Sequence, residues 1–243
     1  MHTEYTFESF IPTDENNFAY RTAEAVANAP HLIYNPLVLF GPNGTGKTHL
    51  LHAIANRIRE RNPDWKVVYR TCDDFIARVV HDLIVKDNPS HENLFLAPDI
   101  LLLDDVHHIV GKEATQELLL SFFRRRIDAN KLTVITSAVP PRDLLVMNML
   151  EKEAKYPLFA YISAPQAETR LKIARAKAEA LGLLITDAPL IYISNHTDNI
   201  RQIEGALKRI LACRDFELFQ FTTSNIMRML SEEWLPTIQK SRD

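Results

Sequence analysis

Residues 36–48 read Pro36-Leu37-Val38-Leu39-Phe40-Gly41-Pro42-Asn43-Gly44-Thr45-Gly46-Lys47-Thr48. The first five form a short apolar run, the pattern of a strand buried on both faces of a parallel sheet. From Lys47 to Arg61, Leu50, Leu51, Ile54 and Ile58 recur at helical spacing and give one apolar face. The loop between strand and helix carries Gly41, Gly44 and Gly46, which permit a tight turn and let backbone N–H groups wrap an anion. Lys47 is placed to reach the outer phosphates and the Thr48 hydroxyl to ligate Mg²⁺, while the helix that starts here points its positive end at the anion. The pattern from Gly41 to Thr48 therefore predicts a nucleoside triphosphate site that takes ATP or ADP with Mg²⁺. A glycine turn that binds nothing is the bland alternative, and the flanking strand and helix count against it.

Working outward, Val67-Val68-Tyr69 reads as a second strand and Asp73–Val85 as a helix. Ile100-Leu101-Leu102-Leu103 is a third strand that ends in Asp104-Asp105. Glu113–Ala129 is a helix, Leu132–Thr136 a fourth strand and Leu158–Ile162 a candidate fifth. Strands that alternate with helices imply crossover connections and a parallel sheet covered on both faces. The expected fold is α/β: a five-stranded parallel sheet flanked by helices. In open α/β sheets ligands sit at the carboxyl ends of the strands. Asp104 is therefore expected to hold the Mg²⁺ shell, and Asp105 to polarise an attacking water.

After Pro165 only helical patterns follow, roughly 166–182, 188–195, 198–214 and 222–232. The expected organisation is a nucleotide-binding domain over 1–164, a small helical lid over 165–233 and a tail over 234–243. Hydrophobic residues make up 46% of the chain and charged residues 24%, enough for a sizeable core without disulfides or a structural metal. Cys72 and Cys213 have no paired spacing, which fits a reducing compartment and argues against a zinc site. The net charge of −3 does not advertise nucleic-acid binding. No signal peptide and no apolar membrane span is read, so the expected location is the cytoplasm.

Several further blocks now carry a resemblance. They are Tyr5-Thr6-Phe7-Glu8-Ser9-Phe10, Asn17-Phe18-Ala19-Tyr20, Tyr34-Asn35-Pro36-Leu37, Lys47-Thr48-His49-Leu50, Leu102 to Val106, Gly111-Lys112-Glu113, Thr115-Gln116-Glu117, Glu168-Thr169-Arg170 and Asp198 to Leu207. With these the chain resembles the AAA+ ATPase core of the bacterial replication initiator DnaA family, from about Tyr5 to Leu230, as a short paralogue. The resemblance implies that Arg201 is the second sensor, a lid arginine that reaches over the bound phosphates. It also implies that His49 belongs to the nucleotide loop and that Phe7, Phe10 and Phe18 pack near the adenine, although ordinary core packing would explain the three rings as well. A role in replication initiation or its control follows as an expectation. The expected partners are another AAA+ protein such as DnaA, or a replicative helicase.

Three departures from the family pattern shape that expectation. No helix-turn-helix domain is read before Asp243, so sequence-specific binding to duplex DNA is not expected. Ala138 stands where the family has the acid of the first sensor, which leaves the Ser137 hydroxyl to bind a water. Glu151 and Glu153 stand where an arginine finger is expected, with Lys152 and Lys155 beside them, and lysine lacks the planar fork. Nucleotide binding is thus expected to be kept, with hydrolysis and self-assembly weakened. The leading reading is an accessory regulator of initiation. A helicase loader that uses ATP as a switch and a non-hydrolysing interaction module stay open as alternatives.

Lesser features have plain readings. Arg124-Arg125-Arg126 near a helix end reads as a solvated cationic face, with nucleic-acid contact as the alternative. The Phe75–Phe95 stretch mixes Arg78 and Lys86 with Asp82, Asp87 and Glu92, so contact with single-stranded DNA is an open alternative. His49, His52, His107 and His108 lack a metal-ligand set around them and read as packing or surface groups.

Overall fold

The computed structural model describes residues 2–30, 34–84, 95–144, 147, 157–216 and 222–239. The chain divides into two compact units, Met1–Ser163 and Ala164–Asp243.

In the first unit the elements follow in the order α1 (Asn17–Asn28), β1 (Leu37–Phe40), α2 (Lys47–Arg61), β2 (Val67–Thr71), α3 (Cys72–Ile84), β3 (Ile100–Asp104), α4 (Glu113–Asp128), β4 (Leu132–Ser137) and β5 (Leu158–Tyr161). Short 3₁₀ turns at Val106–Ile109 and Pro141–Asp143 follow β3 and β4. The five strands are all parallel, in the order β2-β3-β4-β1-β5. This is the parallel sheet that the alternation of strands and helices predicts.

The strand period of two sorts the apolar residues between two cores. Leu37, Leu39, Ile100, Leu102, Leu132 and Val134 face α1, α2 and the lead-in, with Phe7, Phe10, Leu50, Leu51, Ile54 and Ile58. Val38, Leu101, Leu103 and Ile135 face α3 and α4, with Phe75, Phe95, Phe122 and Phe123. Each such side chain, fully buried, contributes about 1.5–3 kcal/mol. Both faces are covered, so β1 is apolar throughout and β3 is apolar until Asp104 at its carboxyl end.

Arg126 corrects the expected solvated face. Arg124 and Arg125 are exposed, whereas Arg126 is fully buried. Its guanidinium donates to the carbonyls of Phe95 and Pro98 (each 2.9 Å), Asp99 (3.3 Å) and Leu132 (2.7 Å) and to Thr133 Oγ1 (2.9 Å). A planar five-donor fork matches that cage of acceptors, and Arg126 joins α4 to the entries of β3 and β4.

The second unit contains α5 (Ala167–Ala180), α6 (Asp187–Asn195), α7 (Ile200–Asp215) and α8 (Thr223–Gln239). Ile203, Ala206, Leu207 and Ile210 give α7 one buried stripe. Its first turn is capped by Asn199, whose side chain accepts from the Gln202 N–H at 3.1 Å. Lys177 on α5 meets Glu204 on α7 at 2.6 Å. The last helix runs to Gln239, beyond the helical pattern read over 222–232. Among the described residues no helix is long and apolar enough to cross a membrane.

Candidate nucleotide site

The site is built where β1 hands over to α2. Gly41 has φ 150°, and its N–H donates to Ser137 O at 3.1 Å. A Cβ at this position would lie 2.0 Å from Ile162 O, so no side chain fits between β4 and the end of β5. Gly46 takes a left-handed conformation, φ 102°, as the cap of α2. Thr45 is buried and its hydroxyl donates to Pro42 O at 3.0 Å, which closes the loop on itself. Lys47 is buried at the loop's base and donates to Gly41 O and Pro42 O, both at 2.7 Å.

Thr48 and Asp104, on different elements, come together. The Thr48 hydroxyl donates to Asp104 Oδ2 at 2.9 Å. The pair supplies a hydroxyl and a carboxylate, a hard all-oxygen donor set of the kind that holds Mg²⁺ alongside phosphate oxygens. Two residues missed by sequence reasoning complete this corner. The Tyr69 hydroxyl on β2 also donates to Asp104 Oδ2, at 2.9 Å, and the Thr136 hydroxyl on β4 donates to Asp104 Oδ1. Burial, followed by the Asp104 carboxylate, holds the Tyr69 phenol well above its ordinary pKa, so it stays a donor.

Asp105 adopts a left-handed conformation, φ 58°, and its N–H donates to Thr136 Oγ1 at 2.9 Å. Thr136 thus binds both acids. Ser137 differs from the expectation that its hydroxyl would serve a water: it is fully buried and donates to Val139 O at 2.8 Å, inside its own turn. The Ala138 N–H donates to His107 Nδ1 at 3.1 Å, and that nitrogen lies 3.8 Å from Asp105 Oδ1. Accepting at Nδ1 requires the neutral ring. Burial lowers the His107 pKa in the same direction, against the opposing pull of Asp105. His108 turns outward and pairs with Asp73 at 3.0 Å.

The other expected residues are placed as follows. His49 lies on α2, where Nε2 meets Thr6 O at 2.8 Å and the ring stacks on Tyr5 at 4.8 Å. Phe7 and Phe10 are core residues, while Phe18 is 61% exposed. Arg201 is exposed in the first turn of α7, in the second unit. Glu151, Lys152, Glu153 and Lys155 lie outside the described residues, as does much of the Phe75–Phe95 stretch.

The bacterial DnaA ATPase domain family matches residues 1–156 of this chain. Domain III of the Thermotoga maritima replication initiation protein DnaA is 32% identical and superposes with a TM-score of 0.89, over 97% of this chain and 99% of that one. AMPPCP-bound DnaA from Aquifex aeolicus is 31% identical with a TM-score of 0.75, over 86% of this chain and 65% of that one. A replication initiator DnaA bound to AMPPCP and single-stranded DNA is 29% identical with a TM-score of 0.80, over 96% of this chain and 70% of that one. A sheet of this order, a glycine loop before α2 and an acid pair at the end of β3 thus accompany sequence identity across almost the whole chain: it belongs to the bacterial DnaA ATPase domain family.

Proposed function

We propose that this chain binds ATP with Mg²⁺ at Gly41–Thr48 and uses it as a switch in the control of replication initiation, through contact with another AAA+ subunit. The observation that carries the reading is the meeting of Thr48 Oγ1 and Asp104 Oδ2 at 2.9 Å, next to a glycine loop that closes over Lys47. The loop N–H groups wrap the phosphates, and the buried ammonium exchanges its two carbonyl partners for phosphate oxygens. A bound Mg²⁺, held by Thr48 and Asp104, supplies charge neutralisation on the outer phosphates. Asp105 orients the attacking water, and Arg201 acts as the lid arginine. The AMPPCP-bound relatives support nucleotide binding, and the replication initiator bound to single-stranded DNA supports a place in replication initiation.

Self-sufficient hydrolysis is not favoured. The β4 end offers Thr136, already bound to both acids, then the self-satisfied Ser137 and the apolar side chain of Ala138. Slow turnover that a partner accelerates fits this arrangement. Steady-state ATPase of wild type and Lys47→Ala, alone, with DnaA and with the replicative helicase, tests it. Turnover that rises only with DnaA supports the regulator, and helicase-dependent turnover supports a loader. Tight binding with no turnover under any condition supports a nucleotide-bound interaction module. Rapid turnover by the protein alone would contradict the switch.

A further inference from the structure

We infer that Tyr69 is a positioning residue for the Mg²⁺ of the nucleotide site, acting through Asp104; this rests on the nucleotide reading proposed above. Tyr69 is the third residue of β2 and pairs with Leu102, two residues before Asp104 on the adjacent strand. Its phenol runs toward the carboxyl end of the sheet and donates to Asp104 Oδ2, the oxygen that Thr48 also uses. Thr136 donates to the other oxygen. The carboxylate is therefore gripped by hydroxyls from three elements: β2, β4 and α2. Three neutral hydroxyl donors thus orient it.

The Tyr69 ring is itself fixed. It packs against His52 with centroids 4.5 Å apart, and His52 is buried with an Nδ1 that has no hydrogen-bond partner. His52 contacts Tyr5 and His2 of the lead-in. The phenol is thus wedged rather than free to swing away when a metal shell forms. Thr48 and Tyr69 share one oxygen: when the Thr48 oxygen turns to a cation, Tyr69 keeps a hydrogen bond to Asp104 and keeps the carboxylate aimed. Removing such an outer partner of a metal ligand commonly costs 10–100-fold in metal affinity.

The test is Tyr69→Phe, which deletes one oxygen and keeps the ring. Affinity for ATP is measured by calorimetry with excess Mg²⁺ and again with EDTA. Binding of Mn²⁺ to the protein–nucleotide complex is measured separately by electron paramagnetic resonance. The expected result is a loss of about tenfold in Mn²⁺ affinity and in the Mg²⁺-dependent part of ATP binding, with metal-free binding unchanged. Equal losses with and without Mg²⁺, or no loss at all, would overturn the assignment, since a packing role moves both conditions together. In case the variant does not fold, wild type carrying 3-fluorotyrosine at position 69 gives an independent reading. Its ¹⁹F signal shifts when Mg²⁺ is added to the ATP complex, and an unmoved signal overturns the proposal. Wild type that binds no nucleotide under either condition sinks the underlying nucleotide reading instead, a distinct outcome.

Discussion

Gly41 occupies a position where backbone approach, not flexibility in general, decides the residue. A Cβ would sit 2.0 Å from Ile162 O, and φ 150° is outside the range of L side chains. Gly41→Ala is expected to cost about 3 kcal/mol or more and to abolish nucleotide binding, checked by thermal melting and calorimetry. His52 is a second case in which place decides chemistry. Burial, then the nearby His2, depresses its pKa from 6.5 to about 4. The unfolded chain takes up the proton near pH 6.5, whereas the folded chain resists until about pH 4. Stability from the neutral ring is therefore full above pH 6.5 and is lost as pH falls from 6.5 to 4. The loss should be at most about 3 kcal/mol, and His52→Leu should flatten that part of a urea-denaturation pH profile.

At the scale of elements, Arg126 shows how α4 is locked to the sheet. Its cage consists of the carbonyls of Phe95, Pro98, Asp99 and Leu132 and the Thr133 hydroxyl. Arg126→Ala removes all five of these buried hydrogen bonds and should destabilise by about 3–5 kcal/mol in urea unfolding; Arg126→Lys, with one donor centre instead of a fork, should fall between. The strands were legible as apolar runs because a sheet covered on both faces demands them. The glycine loop and Asp104 were legible because their chemistry is written in contiguous residues. Arg126 was not, because a charged triplet at a helix end has the same appearance whether its third member faces water or the sheet. Tyr69 and Thr136 were not, because their contact with Asp104 depends on β2 and β4 flanking β3. Spatial strand order is set by crossover packing, not by any local pattern. Leu103 pairs with Ile135, which brings Thr136 next to Asp104 only once that order exists.

At the scale of the whole molecule, the first unit carries the loop, the acid pair and Tyr69, and the second carries Arg201 on α7. A ligand that binds the folded chain and not the unfolded one raises its stability by mass action. MgATP at about 100 times its dissociation constant should add about 2.7 kcal/mol, a rise of about 5–10 °C in Tm by differential scanning fluorimetry. The rise should be smaller in Arg201→Ala, since Arg201 is proposed as the lid arginine.

The central claim is that Gly41–Thr48 is a working nucleotide site. Calorimetric titration of MgATP into wild type and Lys47→Ala tests it most directly. The account predicts one site per chain in wild type and at least a tenfold weaker site in the variant. No binding by wild type, or equal binding by both proteins, would contradict it.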